Sequence, residues 1–176
     1  FGLDAQGNAN HAIAFIEGMR DAGVRSAIKH YPGLGAVTGN TDFTADGIVD
    51  ATTTLDGEEI AAFNAAIDAD PGMVMMSLAT YQRIDPNNLR GTLGYDGVIT
   101  SDSLSAAALG GFDPREIGVR FVDAGADLAC IGAADYVQPI LDGLNERAAS
   151  DQAFAEKVTR SAIRVMTLKY EMGLAQ

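Results

Sequence analysis

Four short apolar runs recur along the chain, each bounded by polar or turn-forming residues. Runs of this kind predict strands that are buried on both faces, as in a parallel sheet. The predicted strands are residues 25–30, 73–78, 97–101 and 127–131.

Helical patterns lie between and around these strands, because apolar residues there repeat every three or four positions. The patterns cover residues 8–22, 134–147 and 151–172. Two further helices are predicted at start signals, namely Asp56 followed by Glu59, and Asp113 followed by Pro114. The last helix carries an apolar stripe made of Phe154, Val158, Ile163, Val165 and Leu168.

Strands that alternate with helices predict an α/β fold with a parallel sheet. An open doubly wound sheet and part of an eight-stranded barrel both satisfy this order. The segment after Gly33 and Gly35 is polar and turn-rich rather than helical, which counts against a nucleotide-binding fold.

Composition limits the classes of partner that the chain can have. The 176 residues carry a net charge of −12, which argues against nucleic acid as a partner. No apolar run approaches the roughly 20 residues of a membrane span. The single cysteine, Cys130, is predicted to be a small core residue, and the two histidines, His11 and His30, are too few for a typical zinc site, so no metal is expected.

Candidate chemistry lies where the strands end, since parallel α/β folds gather function there. Lys29 and His30 end the first strand and are interpreted either as substrate contacts or as structural residues. Asp102 follows the third strand and is interpreted either as a helix cap or as a catalytic carboxylate. The long segment 34–55 carries three acids that are each interpreted as solvated loop charges: Asp42, Asp46 and Asp50.

Two motifs resemble a known family. Residues 27–35 (AIKHYPGLG) are similar to the Lys-His-Phe-Pro-Gly-His-Gly signature of family 3 glycoside hydrolases, most of all the β-N-acetylhexosaminidases. Residues 93–104 (LGYDGVITSDSL) resemble the family's Leu-Gly-Phe-Asp-Gly-Val-x-x-Ser-Asp-Asp-Leu signature.

The resemblance implies a partial (β/α)8 TIM barrel, with residues 1–176 as the C-terminal half of one barrel domain holding strands five to eight and their helices. It implies a retaining glycosidase that cleaves β-linked N-acetylglucosamine-type glycosides by double displacement. Asp102 would be the nucleophile, and Lys29 and His30 would bind sugar hydroxyls. No cofactor is implied.

The chain also departs from the family. Asp42 stands where the hexosaminidases have their acid/base histidine, and Asn40 replaces the aspartate that orients it. Asp42 is therefore the hypothesised acid/base. The segment 77–79 lacks the family's second histidine, and the segment 84–93 looks shortened by about one helix.

Two alternatives remain: a β-glucosidase or β-xylosidase of the same family, and a non-catalytic sugar-binding relative. The remaining half-barrel is the expected partner, besides the carbohydrate. Alone, the chain is expected to be inactive or to self-associate through open sheet edges. Its compartment is left open, with a secreted or lipid-anchored protein slightly favoured over a cytoplasmic one.

Overall fold

The computed structural model describes residues 4–85 and 88–176, apart from the side chains of residues 59 and 88. Its strands are β1 (Ala27–Tyr31), β2 (Val49–Asp50), β3 (Met73–Met76), β4 (Thr80–Tyr81) and β5 (Val98–Ser101). Its α-helices are α1 (Ala5–Asp21), α2 (Glu58–Asp68), α3 (Pro114–Asp123), α4 (Val137–Ser150) and α5 (Gln152–Glu171).

The main sheet is parallel and runs β1-β3-β5, so each strand lies beside the one that precedes it in the predicted series. Val74 in β3 pairs with Ile28 on one side and Ile99 on the other. The predicted parallel α/β arrangement is confirmed. A small parallel pair, β2 with β4, was not predicted and lies outside this sheet.

The fourth predicted strand, 127–131, is reduced to one parallel bridge between Thr100 and Leu128. Side-chain hydroxyls replace part of the backbone ladder there. The Thr100 hydroxyl donates to the Leu128 carbonyl at 2.7 Å, and the Ser101 hydroxyl accepts from the Cys130 amide at 2.9 Å. The prediction of a regular strand is therefore wrong in form, although the segment lies where it was expected.

Cys130 is exposed, so its assignment to the core is wrong. Within residues 4–85 and 88–176, no strand pairs with the far side of the 127–131 segment, and Leu128 and Cys130 in it are exposed.

Helix starts follow local capping chemistry. Asp113 caps α3 by accepting from the Arg115 amide at 2.9 Å, with proline at the first turn, as predicted. α2 begins later than predicted, at Glu58 after Gly57, without a side-chain cap from Asp56. The Glu59 side chain, on which the capping-box prediction depends, lies outside the described part of the chain.

The apolar stripe of α5 is buried at Phe154 and Leu168, but Ile163 is 58% exposed, which corrects its predicted place in the core. Between α3 and α4 the packing is close. A Cβ on Gly143 would lie 2.2 Å from the Arg115 carbonyl oxygen, so only glycine permits this approach.

A network of ion pairs lies near the N-terminal end of β5. The Asp127 carboxylate is fully buried and binds both Arg90 and Arg164. It also accepts a hydrogen bond from the Ile99 amide at 2.8 Å, near the start of β5. Among the described helices, none combines the length and apolar character that crossing a membrane requires.

Candidate active site

The carboxyl ends of β1, β3 and β5 meet at one edge of the sheet, because the strands are parallel. That edge borders a pocket of about 390 Å³. All four site residues predicted from the sequence line it, although they span more than 70 positions of the chain. These residues are Lys29, His30, Asp42 and Asp102.

His30 and Asp102 face each other in this pocket. His30 Nε2 lies 3.5 Å from Asp102 Oδ2, and both side chains are mostly buried. Burial lowers the pKa of His30 below its ordinary value of 6.5, and the Lys29 charge adds to this, while Asp102 and Asp42 oppose it. The imidazole is therefore uncharged at neutral pH, with one ring nitrogen to donate and one to accept a hydrogen bond.

Asp102 does not cap a helix. Its Oδ1 accepts from the adjacent Ser103 amide at 2.8 Å, and the next helical turn, Ala107–Leu109, begins only after Ala106. Its own amide donates to the Met76 carbonyl at 3.1 Å, which extends the ladder between β5 and β3 by one residue. The cap interpretation is wrong, and Oδ2 is left facing His30.

Asp42 reaches the pocket from a separate loop. The Asn40 side chain accepts from the Asp42 amide at 2.9 Å, which makes a tight turn. At the base of the loop, the amides of Thr38 and Gly39 both donate to the Gly47 carbonyl at 2.9 Å. The loop thus holds Asp42, itself exposed, at the rim of the pocket.

This loop, residues 38–47, is also attached to the segment that follows Asp102. The amides of Ala107 and Ala108 donate to the carbonyls of Asp42 and Thr41, at 3.3 and 3.0 Å. The two candidate carboxylates are therefore carried by backbone segments that are hydrogen-bonded to each other, which fixes their relative position.

Asp50 is not the solvated loop charge that was predicted. It lies in β2, is 2% exposed, and accepts hydrogen bonds from the amides and hydroxyls of Thr52 and Thr53. Burial by itself raises the pKa of this carboxyl, but those hydrogen bonds outweigh burial and lower the pKa to about 2. The Asp-x-Thr-Thr sequence was a usable signal for such a turn.

Ser77 and Tyr81, the polar residues after β3, lie outside this pocket and line a neighbouring apolar cavity of about 490 Å³. The Tyr81 hydroxyl donates to the Gly33 carbonyl and is 2.7 Å from the Ser77 hydroxyl. They connect the loops after β1 and β3. Among the described residues, no group of three His, Cys, Asp or Glu side chains is placed to hold a metal ion.

The arrangement of a Lys-His pair on β1 and an aspartate directly after β5 coincides with a family match. The sequence profile described as Glycosyl hydrolase family 3 N terminal domain matches residues 1–168. The chain belongs to glycosyl hydrolase family 3. Leu34, which stands where the quoted signature has its second histidine, is thus a variation within family 3.

Relatives within family 3 agree in sequence and in shape. A β-hexosaminidase of Mycobacterium tuberculosis, LpqI, is 30% identical over 187 residues, covering 96% of this chain and 48% of that protein. The crystal structure of a β-N-acetylhexosaminidase from Beutenbergia cavernae superposes with a TM-score of 0.88 at 41% identity, covering 96% of this chain and 54% of that one.

A family 3 β-N-acetylglucosaminidase structure from Paenibacillus superposes with a TM-score of 0.82 at 29% identity, covering 92% of this chain and 34% of that one. This chain therefore spans about half the length of the curated relatives that it matches.

Proposed function

We propose that this family 3 chain carries the nucleophile side of a retaining glycosidase that cleaves β-linked N-acetylglucosamine-type glycosides. The observation that carries the proposal is the shared pocket of Asp102, Lys29 and His30, in which Asp102 Oδ2 is 3.5 Å from His30. Relatives named β-hexosaminidase and β-N-acetylhexosaminidase support the choice of sugar.

In the first step, Asp102 attacks the anomeric carbon and the bond to the leaving oxygen breaks. The electron pair of that bond goes to the leaving oxygen, which takes a proton from the Asp42 carboxyl. In the second step, the Asp42 carboxylate removes a proton from water, which attacks the anomeric carbon and releases Asp102.

Lys29 and His30 bind the sugar beside the nucleophile. The Lys29 ammonium has three protons for sugar oxygens, and uncharged His30, whose one ring proton faces Asp102 from Nε2, can accept a hydrogen bond from a sugar hydroxyl at Nδ1. Hydrogen bonds to ring hydroxyls that strengthen as positive charge develops on the ring lower the barrier. His30 also contacts Asp102, so it orients the attacking carboxylate.

The site is completed, in this proposal, by the remaining half of an eight-stranded barrel. β1, β3, β5 and the 127–131 segment then correspond to its strands five to eight. Across the main sheet, β1, β3 and β5 lie side by side in the order in which they occur along the chain. This supports a barrel, since doubly wound sheets reverse their strand order at a switch point. The isolated chain should be inactive or self-associate, because β1 and the 127–131 segment are open edges.

The test uses the complete-barrel protein, meaning a polypeptide that contains this chain together with the proposed first four strands. A 5-fluoro-N-acetylglucosaminyl fluoride should form a covalent adduct that peptide mass spectrometry locates on Asp102. The Asp102→Asn variant should form none. An adduct on another residue would contradict the assignment of the nucleophile.

A second pair of variants tests Asp42. Asp42→Asn should lose turnover of alkyl glycosides by at least about 100-fold, because their leaving oxygen needs a proton, and should still be trapped by the fluoride. The matched control is Asp46→Asn, since Asp46 lies on the same loop and does not line the pocket. Normal turnover by Asp42→Asn would refute its role. Saturable sugar binding without any adduct would indicate the non-catalytic relative.

A further inference from the structure

Phe43 is the residue directly after Asp42, and its side chain is 82% exposed, more than any other large apolar side chain in the described ranges. Isolated exposed apolar residues are common on protein surfaces and carry no meaning by themselves. Two features distinguish this one: its backbone is fixed by hydrogen bonds, and it directly follows Asp42, which lines the pocket.

The backbone at Phe43 is held by hydrogen bonds on both sides. The amides of Phe43 and Thr44 donate to the Asn40 carbonyl, each at 3.0 Å. The preceding carbonyl, that of Asp42, accepts from Ala107 at 3.3 Å. The ring is therefore attached to a loop whose position is fixed relative to Asp102, so ordering the loop costs little when a ligand binds.

Close packing inside the same loop keeps its shape. A Cβ on Gly39 would lie 2.1 Å from the Asp46 carbonyl oxygen, so the two sides of the loop pass at a distance that only glycine allows. The exposed ring thus lies at the tip of a closed loop.

The positions of the acid and the nucleophile on opposite sides of the scissile bond then determine which part of a substrate lies near Phe43. An acid that protonates the leaving oxygen must touch that oxygen, whereas the nucleophile faces the opposite side of the anomeric carbon. If Asp42 is that acid, Phe43, the next residue in the chain, is expected to lie closer to the leaving group than to the sugar that Asp102 attacks.

We propose that Phe43 forms the binding platform for the leaving group and favours substrates whose leaving group is a second pyranose ring. This inference rests on the proposed function and adds a specificity residue to it. A pyranose presents a face of C–H groups, and stacking on an aromatic ring buries that face together with the exposed phenyl group. The polar edge of the sugar remains in water.

The experiment compares two substrates of the complete-barrel protein that differ only in the leaving group. One is a β-linked N-acetylglucosaminyl disaccharide, and the other is methyl β-N-acetylglucosaminide, whose leaving oxygen needs the same proton but carries no second ring. Phe43→Ala should lower kcat/KM for the disaccharide about tenfold and leave the methyl glycoside within about twofold of the unchanged protein.

Two further variants separate stacking from support of the loop. Phe43→Tyr keeps an aromatic face and should retain the disaccharide activity. Val49→Ala removes an exposed apolar group from β2, outside the pocket, and should change neither substrate. Val49 is 52% exposed, so it controls for loss of surface apolar area.

Equal losses on both substrates with Phe43→Ala would overturn the inference, because they would mean that the ring supports the loop or is covered by the rest of the barrel. Unchanged disaccharide activity would overturn it as well. In both cases the hydrolase proposal stands. An unchanged protein that cleaves neither substrate would overturn the proposed function, and the inference with it.

Discussion

Replacing Asp127 with asparagine should destabilise the fold by about 3–5 kcal/mol, the usual cost of breaking a buried ion pair. Its carboxylate is fully buried, and the Arg90 and Arg164 side chains are 19% and 26% exposed. Removing the one negative charge leaves two mostly buried guanidinium groups without their counter-charge.

The hydrogen-bond geometry makes asparagine a poor substitute in either orientation. Oδ1 accepts from Arg164 at 2.9 Å, while Oδ2 accepts from the Ile99 amide at 2.8 Å and from Arg90. Whichever way the amide is turned, its NH₂ group faces a donor. An unsatisfied buried donor costs about 1–3 kcal/mol by itself.

The assay is urea unfolding of the complete-barrel protein at fixed protein concentration, followed by circular dichroism. The matched control is Asp123→Asn, whose partner Lys157 is 2.7 Å away with both side chains 41% exposed. That variant should lose less than about 1 kcal/mol. Adding Arg164→Met to Asp127→Asn should recover part of the loss, because it removes one unpaired cation. Equal midpoints for Asp127→Asn and Asp123→Asn would refute the reasoning.

Three further predictions concern protonation and packing. Because the pKa of Asp50 is lowered to about 2, its ionised form stabilises the fold above about pH 4, and this stabilisation is lost as the pH falls from about 4 to about 2. Asp50→Asn should therefore reduce the fall of the urea midpoint between about pH 4 and about pH 2. An unchanged fall would contradict the prediction. In an NMR titration, His30 should show a pKa below 6.5, and Asp102→Asn should lower it further, since the carboxylate raises it; a rise would contradict the geometry. Gly143→Ala should destabilise by about 1–3 kcal/mol in thermal unfolding because its Cβ would meet the α3 backbone, whereas Gly18→Ala in α1, where a Cβ meets nothing within 4 Å, should stabilise by about 0.5–1 kcal/mol.

Much of the fold could be predicted from local signals. The start of α3 was readable from Asp113 and Pro114, because capping and a preset backbone angle act within one turn. Three of the four predicted strands form as regular strands, because a buried strand needs an apolar run wherever it lies. The fourth predicted strand, residues 127–131, is not regular, because the side-chain hydroxyls of Thr100 and Ser101 replace part of its backbone hydrogen bonding. The periodicity of the sequence does not reveal such a replacement.

The convergence of the site was also predictable, in part. Parallel strands end on one side, so Lys29, His30 and Asp102 were expected at the same edge once the sheet was parallel. The position of Asp42 at the same pocket depended on how the 38–47 loop docks on Ala107 and Ala108. The sequence contains no signal for that docking, since both partners are backbone groups.

By itself, the sequence determined the α-helices and the three strands of the main sheet, their order, and which polar residues follow the strands. Only the tertiary structure decided that Asp50 is buried, that Asp102 faces a histidine rather than a helix start, and that Asp127 binds two arginines each 37 positions away. The physical reason is range. Capping and periodicity act over a few residues, whereas burial and charge pairing depend on which distant segments the packing brings into contact.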